Sequence, residues 1–314
     1  MNRFNAIDFY KCICASLVVM IHTQYPYKDY ILPITTIAVP SFFCISGFFA
    51  WNSLQKVDRI KRIFNLLLWT LGIYYLKTVI VTLISSNSLY IPSIKDVVDF
   101  ILYNDVVFAN HLWYIASYLY VLLIVFFLGK RCLNTIYLLV FSAIVHWLTF
   151  SEGLHEHFYR NAILQGLPYF SIGCLLRSFF DKGWILRING ISSILLCAII
   201  VVVIYSSPHI NKTSLFSFLY YDIIRLLSVV FIFIYVIKRD SMSENLFSKI
   251  GKDYSLYIYV FHPLPMVVVQ VIINKLDGTF GYIISLLNPF IIITLCIVVV
   301  KFLKNRKLAS YIIT

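Results

Sequence analysis

Long apolar runs separated by short polar segments make up most of the chain. Ten such runs can be counted along the sequence. A bilayer core about 30 Å thick needs about 20 apolar residues at a helical rise of 1.5 Å per residue. The pattern therefore predicts an all-α integral membrane protein with about ten transmembrane helices, at approximately residues 7–26, 32–53, 63–86, 112–129, 132–150, 162–180, 190–207, 214–237, 254–273 and 279–303.

The segments between the runs are too short for a separate domain. The longest is residues 87–111, and within it residues 94–102 have the pattern of a short amphipathic helix lying on the outer surface. The chain has no low-complexity tract and no repeat at the periods of about 20 to 50 residues that solenoids show. We expect one polytopic membrane domain over residues 1–314, with no appended soluble domain.

Composition supports a membrane protein. Of the 314 residues, 61% are hydrophobic and 13% are charged, whereas about a quarter are charged in soluble domains. The net charge of +12 would suggest nucleic acid in a soluble protein. Here the basic residues lie between apolar runs, as the positive-inside rule predicts, so we expect contact with membrane lipids and none with nucleic acid. The cysteines lack the paired spacing of a zinc site, and we expect no metal.

The distribution of lysine and arginine predicts the orientation. With the N-terminus inside, eighteen basic residues fall on the inner side, five on the outer side and three within runs. Both termini are therefore predicted to be cytoplasmic. The five outer residues are Lys28, Lys95, Arg160, Lys212 and Lys275.

The first run contains three ionisable residues, Asp8, Lys11 and His22. Such residues are costly inside a membrane and commonly mark functional sites. Asp8 and Lys11 can pair across one helical turn. Lys11 and His22 are eleven residues apart, which places them on one helix face, because eleven steps of about 100° exceed three turns by only about 20°. The alternative is a snorkelling lysine and a histidine bonded within the bundle.

Together with four later segments, this run resembles the acyltransferase-3 family of integral-membrane O-acyltransferases. The family's first helix has an acidic residue, a basic residue three later and a histidine eleven after that. In that family the basic residue of the first helix is usually arginine. Lys11 keeps the positive charge but lacks the guanidinium group, which can form two parallel hydrogen bonds. The other similar segments are VPSFFCISGFF (39–49), RIKRIF (59–64), HLWYI (111–115) and SLYIYVFHPL (255–264).

The resemblance implies transfer of an acyl group, expected to be acetyl, from cytoplasmic acyl-CoA to a hydroxyl of a cell-envelope or exopolysaccharide sugar. The partners would be acyl-CoA, a saccharide or lipid-linked saccharide, and membrane lipids, and a homo-oligomer is compatible with the sequence. Arg59, Lys61 and Arg62 lie at the inner start of the third run and are suited to the phosphates of acyl-CoA. The alternative is that they anchor this helix to lipid headgroups.

Two histidines are candidates for the chemistry. His22 could be a general base that takes the proton of the acceptor hydroxyl, or it could carry the acyl group as an acyl-imidazole. Asp8 is too far from His22 to orient it, so we interpret Asp8 as holding Lys11 near the donor. His262 lies just before Pro263. It is either a second histidine of the site, catalytic or on the acceptor side, or a residue that donates a hydrogen bond to a carbonyl that the proline frees.

Other functions remain open from the sequence. A transporter or flippase of lipid-linked saccharides would also need charges in the membrane, but it more often shows two related halves. A sensor could keep the fold without the chemistry. Asp222 and Arg225, three apart in the eighth run, are interpreted as a structural pair. We place the protein in the bacterial cytoplasmic membrane as a multi-pass enzyme.

Overall fold

A computed structural model of the protein describes residues 4–151, 160–187, 215–239, 241–276 and 278–305. Within these ranges all regular structure is helical. The helices are α1 Asn5–His22, α2 Lys28–Thr35, α3 Ala38–Ala50, α4 Val57–Ser86, α5 Ile94–Tyr103, α6 Trp113–Leu128, α7 Thr135–Ser151, α8 Leu167–Asp181, α9 Trp184–Arg187, α10 Leu215–Ile237, α11 Leu246–Asp253, α12 Ser255–Phe261, α13 Pro263–Ile273 and α14 Gly278–Asn305. Short 3-10 turns occupy Trp51–Ser53, Asn110–Leu112 and Gly129–Leu133, and a π-helical turn occupies Ala162–Gly166.

The prediction of an all-α integral membrane protein is confirmed. Among the described residues, six helical segments are long and apolar enough to cross a membrane, and a seventh is added if the bent pair α12 and α13 forms one span. The predicted run at 190–207 and the loop residues His155, Glu156 and His157 lie outside the described residues. The count of ten, the cytoplasmic termini and the single domain therefore stay predictions.

One predicted helix begins earlier than its apolar run, and the predicted amphipathic helix is present. The third predicted span starts at residue 63, whereas α4 starts at Val57, because a helix can continue through charged residues once it leaves the apolar core. The predicted amphipathic segment forms α5, and its first residues explain why it starts there. Ser93 and Asp96 form a capping box, in which each side chain accepts a hydrogen bond from the other residue's backbone N–H.

The described residues group into two compact units. The first contains residues up to Ile45 together with those from Ser178 onward, and the second contains Ser46–Arg177. The candidate histidines belong to the first unit, and the candidate donor-binding residues belong to the second.

Helix α1 is the centre of the first unit. It packs against α11, α12 and α14. Gly251 of α11 lies so close to α1 that an added Cβ would overlap the backbone carbonyl of Asp8. Farther along α1, the hydroxyls of Tyr10 and Ser41 are 2.7 Å apart and are buried. These contacts hold the helix that carries Asp8, Lys11 and His22.

Helix α14 runs antiparallel to α1. The amide of Asn288 donates to the backbone oxygen of Gln24, just past the His22 end of α1, at 2.9 Å. Lys304 donates to the backbone oxygen of Asp253, at the end of α11, at 2.8 Å. Because α11 packs on the Asp8 end of α1, the middle of α14, at Asn288, and its last turn, at Lys304, lie beside opposite ends of the first helix.

The second unit is built on α4, α6 and α8. Here Gly47, near the end of α3, permits a close approach, because an added Cβ would overlap the backbone carbonyl of Phe170 in α8. The thiol of Cys174, one turn further along α8, donates to the carbonyl oxygen of Gly47 at 3.3 Å. The absence of a side chain at Gly47 therefore lets α3 pack closely on α8.

Adding a methyl group at these close approaches should destabilise the protein. We expect Gly47→Ala and Gly251→Ala to cost about 1 to 3 kcal/mol or more, because the backbone of the neighbouring helix must move. Gly72→Ala is the matched control, since Gly72 of α4 has no atom within 4 Å of the added Cβ, and alanine favours helix by about 0.5 to 1 kcal/mol over glycine. Melting temperatures in nanodiscs would check this. Equal melting temperatures for all three variants would show that these contacts are not tight.

Candidate active site

The structure brings His22 and His262 together. His22 is the last residue of α1 and is exposed, whereas His262 is fully buried at the junction of α12 and α13. Their rings stack, with centroids 5.1 Å apart and planes at 30°. The sequence separates these residues by 240 positions and gives no indication that they meet. Their contact makes one candidate centre out of two separate predictions.

His262 occupies a break in the chain that its neighbours explain. Pro263 and Pro265 follow it, and α12 and α13 meet at an angle of 59°. A proline lacks the backbone N–H and so leaves a carbonyl of the preceding turn without its helical partner. The Nδ1 atom of His262 lies 2.8 Å from the carbonyl oxygen of Tyr259 and 3.2 Å from that of Ile258. The chain therefore bends at His262, and the contact with carbonyls, one of the two alternatives for this residue, is present.

These contacts also fix the tautomer of His262. A carbonyl oxygen only accepts hydrogen bonds, so Nδ1 must carry the proton and donate it. In the neutral ring the basic lone pair is then on Nε2. A histidine held in this way donates from Nδ1 to backbone carbonyls, and its basic nitrogen, Nε2, is on the opposite side of the ring. The two alternatives for His262 are a structural role, in which it donates to carbonyls, and a catalytic role as a base. One residue can therefore have both roles.

The ion pair predicted near the start of α1 is present. The Nζ atom of Lys11 donates to Oδ1 of Asp8 at 3.0 Å, and the two side chains are 25% and 10% exposed. Asp8 precedes His22 by 14 residues, or about 21 Å of helical rise. The pair therefore does not orient His22, and its place is the opposite end of α1.

Arg59, Lys61 and Arg62 lie in the first two turns of α4, in the second unit, and their surroundings differ. Arg59 is half-buried, and its Nη2 donates to the Oγ of Ser53 at 3.1 Å. Its Nη1 is buried and has no hydrogen-bond partner among the described residues. Lys61 and Arg62 are exposed. A buried guanidinium donor without a protein acceptor fits an anionic ligand such as a phosphate.

The face that Arg59 occupies explains this difference. The buried residues of α4 are Ile63, Leu66, Leu67, Thr70 and Tyr74. At about 100° per residue, Arg59 lies within about 40° of the centre of this stripe, Arg62 lies at its flank, and Lys61 lies on the opposite side. Of the two arginines, Arg59 therefore lies near the centre of the buried face and Arg62 at its edge.

Two further cations lie beside aromatic rings in the same unit. Lys130 lies over the ring of Trp51, with Nζ 4.0 Å from the centroid, and Arg177 lies over Phe48 at 5.1 Å. Trp51 begins the turn that contains Ser53, the partner of Arg59. Both cations belong to the eighteen basic residues that the positive-inside rule places on the inner side. Their proximity to aromatic residues is a tertiary feature, which the spacing along the chain does not reveal.

The remaining polar candidates, Asp222 and Arg225, contact each other. The side chains of Asp222 and Arg225 form the predicted ion pair on α10. Across the described parts of the chain, no group of three or more His, Cys, Asp and Glu residues is arranged to hold a metal ion.

Comparison with known proteins gives one match. A family model described as an acyltransferase domain, that of the acyltransferase-3 family, matches residues 4–303. Comparisons with curated proteins and with solved structures found no match. The matched range includes both histidines, the Asp8–Lys11 pair and all three residues at the start of α4.

Proposed function

Since the chain belongs to the acyltransferase-3 family, we propose that it moves an acyl group from cytoplasmic acyl-CoA to a hydroxyl of a cell-envelope or exopolysaccharide sugar. We propose acetyl as the acyl group. The family makes it an acyltransferase with several membrane helices. The donor, the acceptor and the bacterial cytoplasmic membrane are our proposals. The family match does not favour the alternative of a transporter or flippase for lipid-linked saccharides.

The stacked pair of His22 and His262 is the observation that best supports this proposal. Acyl transfer needs a group that removes the proton of the acceptor hydroxyl as its oxygen attacks the thioester carbonyl. A new bond then joins that oxygen to the acyl carbon, and the bond from the carbon to the CoA sulfur breaks. The proton passes from the hydroxyl to an imidazole and then to the departing sulfur, so the histidine is restored.

The roles of the two histidines can be divided according to their surroundings. His22 is exposed and ends α1, so it can meet a substrate directly, either as general base or as the carrier of an acyl-imidazole. His262 is buried and held by two carbonyls, so it stacks on His22 in a fixed orientation. We assign the proton transfer or acyl transfer to His22 and a second catalytic role to His262.

Cationic residues would bind the donor. Coenzyme A carries several phosphates, and arginine binds phosphate with two parallel hydrogen bonds. We assign Arg59 as the main phosphate ligand because of its buried Nη1 atom, with Arg62 and Lys61 as outer contacts. Asp8 would hold Lys11, whose charge would favour the anionic donor.

Removal of the arginines should weaken donor binding without unfolding the protein. Charge-assisted hydrogen bonds contribute about 1.5 to 3 kcal/mol each, so Arg59→Ala and Arg62→Ala should each lower the affinity for acetyl-CoA by about tenfold to a hundredfold. The larger loss is expected for Arg59. Isothermal titration calorimetry on protein in nanodiscs measures the affinity directly.

Arg187→Ala is the matched control for this measurement. Arg187 is an exposed arginine of α9 that is also predicted to be on the inner side, and its removal should leave the affinity unchanged. Unaltered affinity in both Arg59→Ala and Arg62→Ala would make these residues lipid anchors and would remove the proposed donor site.

A further inference from the structure

Asn288 of α14 has one amide atom bound to the protein, whereas the other has no hydrogen-bond partner in the part of the chain that the structure describes. Its Nδ2 donates to the backbone oxygen of Gln24 at 2.9 Å. This bond fixes the orientation of the amide, because the oxygen atom cannot donate to a carbonyl. The side chain is only 1% exposed, and its Oδ1 has no hydrogen-bond partner among the described residues. A buried carbonyl of this kind needs a hydrogen-bond donor.

The position of Asn288 connects it to the histidine pair. Gln24 follows His22 by two residues, so the Cα atoms of Gln24 and His22 are at most about 7 Å apart. Tyr25, the next residue, is 9% exposed, and its hydroxyl is also buried without a partner in the described structure. Two buried polar groups with no hydrogen-bond partner among the described residues therefore belong to residues near the end of α1 where His22 lies.

Aromatic residues continue from this end of α1. The hydroxyl of Tyr282, in the first turns of α14, donates to that of Tyr27 at 3.4 Å, and both rings are exposed. The rings of Tyr27 and Tyr30 have centroids 6.4 Å apart. Tyrosines are common where a helix leaves the membrane, and that alone would explain the exposed rings. It does not explain the buried Asn288 amide or the buried Tyr25 hydroxyl.

We infer that Asn288 and Tyr25 bind hydroxyl groups of the acceptor saccharide other than the one that is acylated. This inference rests on the proposed function and identifies the acceptor side of the same site. Asn288 Oδ1 can only accept, so its ligand must donate, as a sugar hydroxyl does. The Tyr25 hydroxyl can donate or accept. The site thus selects a polyol over an alcohol with one hydroxyl.

Alkyl alcohols with and without a sugar test this selection. The probes are octyl β-glucoside, octyl β-galactoside and octyl α-mannoside, with 1-octanol as the matched alcohol that has the same chain and one hydroxyl. Transfer of labelled acetyl from acetyl-CoA to each probe is measured at submicellar concentration, with the protein in nanodiscs. We expect at least one glycoside to react about tenfold faster than 1-octanol, as two neutral hydrogen bonds can provide.

The variants Asn288→Ala and Tyr25→Phe should each reduce this preference by about threefold to tenfold and leave the affinity for acetyl-CoA unchanged. Tyr25→Phe is the sharper of the two variants, because it removes a hydroxyl that no described residue bonds and should keep or raise the melting temperature. Tyr10→Phe is the matched control. Its hydroxyl bonds to Ser41, so this variant should lower the melting temperature and keep the preference for glycosides.

The outcomes separate this inference from the proposed function. Equal reaction of wild-type protein with octanol and all glycosides, or no reaction with any glycoside while acetyl-CoA binds, would overturn the inference alone. An unchanged preference in both Asn288→Ala and Tyr25→Phe would also overturn it. A wild-type protein that neither binds acetyl-CoA nor releases free CoA would instead overturn the proposed function.

Discussion

Replacing His22 with alanine should lower the rate of acyl transfer by at least about 100-fold, since general-base catalysis contributes about 10² to 10⁴ in rate. The affinity for acetyl-CoA should not change, because we assign its phosphates to Arg59 and Arg62. His22 is exposed at the end of α1, so the melting temperature should fall little. Transfer rate, affinity and melting temperature can be measured on the same preparation in nanodiscs.

Ser16→Ala is a suitable control on the same helix. Ser16 donates only to the carbonyl oxygen of Cys12 within α1, and its loss should leave the transfer rate unchanged. If His22→Ala folds normally and transfers at the wild-type rate, His22 has no catalytic role, and the chemistry must be assigned to His262. A fall in melting temperature that accounts for the lost activity would make His22 a structural residue.

The second large effect is expected at His262. His262→Asn keeps a side-chain N–H that can donate to the carbonyls of Ile258 and Tyr259, but it has no basic nitrogen. We therefore expect a folded protein whose transfer rate is lower by at least about 100-fold. His262→Phe, by contrast, removes the imidazole donor of the Tyr259 carbonyl, whereas the Ile258 carbonyl keeps the backbone N–H of residue 262. This variant should lower the melting temperature as well, by an amount equivalent to about 1 to 3 kcal/mol.

A comparison of single and double variants would show whether the two histidines act as a unit. Catalytic residues that act together are strongly non-additive, so removing the second costs little once the first is gone. His22→Ala combined with His262→Asn should thus be only slightly slower than the slower single variant. Normal transfer by a stable His262→Asn protein would show that His262 has only a structural role, as a hydrogen-bond donor to backbone carbonyls.

The sequence predicted the helical class and the local features because both depend on short-range patterns. A run of about 20 apolar residues can satisfy its backbone in a bilayer only as a helix, if it does not form a barrel. The pair of Asp8 and Lys11 follows from a spacing of one turn. The break at His262 follows from the prolines beside it. Each of these features is set by residues close together in the chain.

The sequence could not predict the contacts that assemble the site. Whether His262 lies beside His22, and whether Asn288 reaches Gln24, depends on how distant helices pack. Hydrophobic runs say little about such packing, because membrane helices are apolar on most faces. The difference between Arg59 and Arg62 was hidden for a related reason. Both have the same charge and spacing, and only the position of the buried stripe on α4 distinguishes them.

The most direct test of the account is a transfer assay with labelled acetyl-CoA. Purified protein in nanodiscs is incubated with this donor and with saccharides and lipid-linked saccharides extracted from cells that lack the gene, and the products are identified by mass spectrometry. The account predicts a labelled hydroxyl ester that forms with wild-type protein and is lost with His22→Ala. Absence of any labelled ester with wild-type protein, or equal labelling by both proteins, would contradict it.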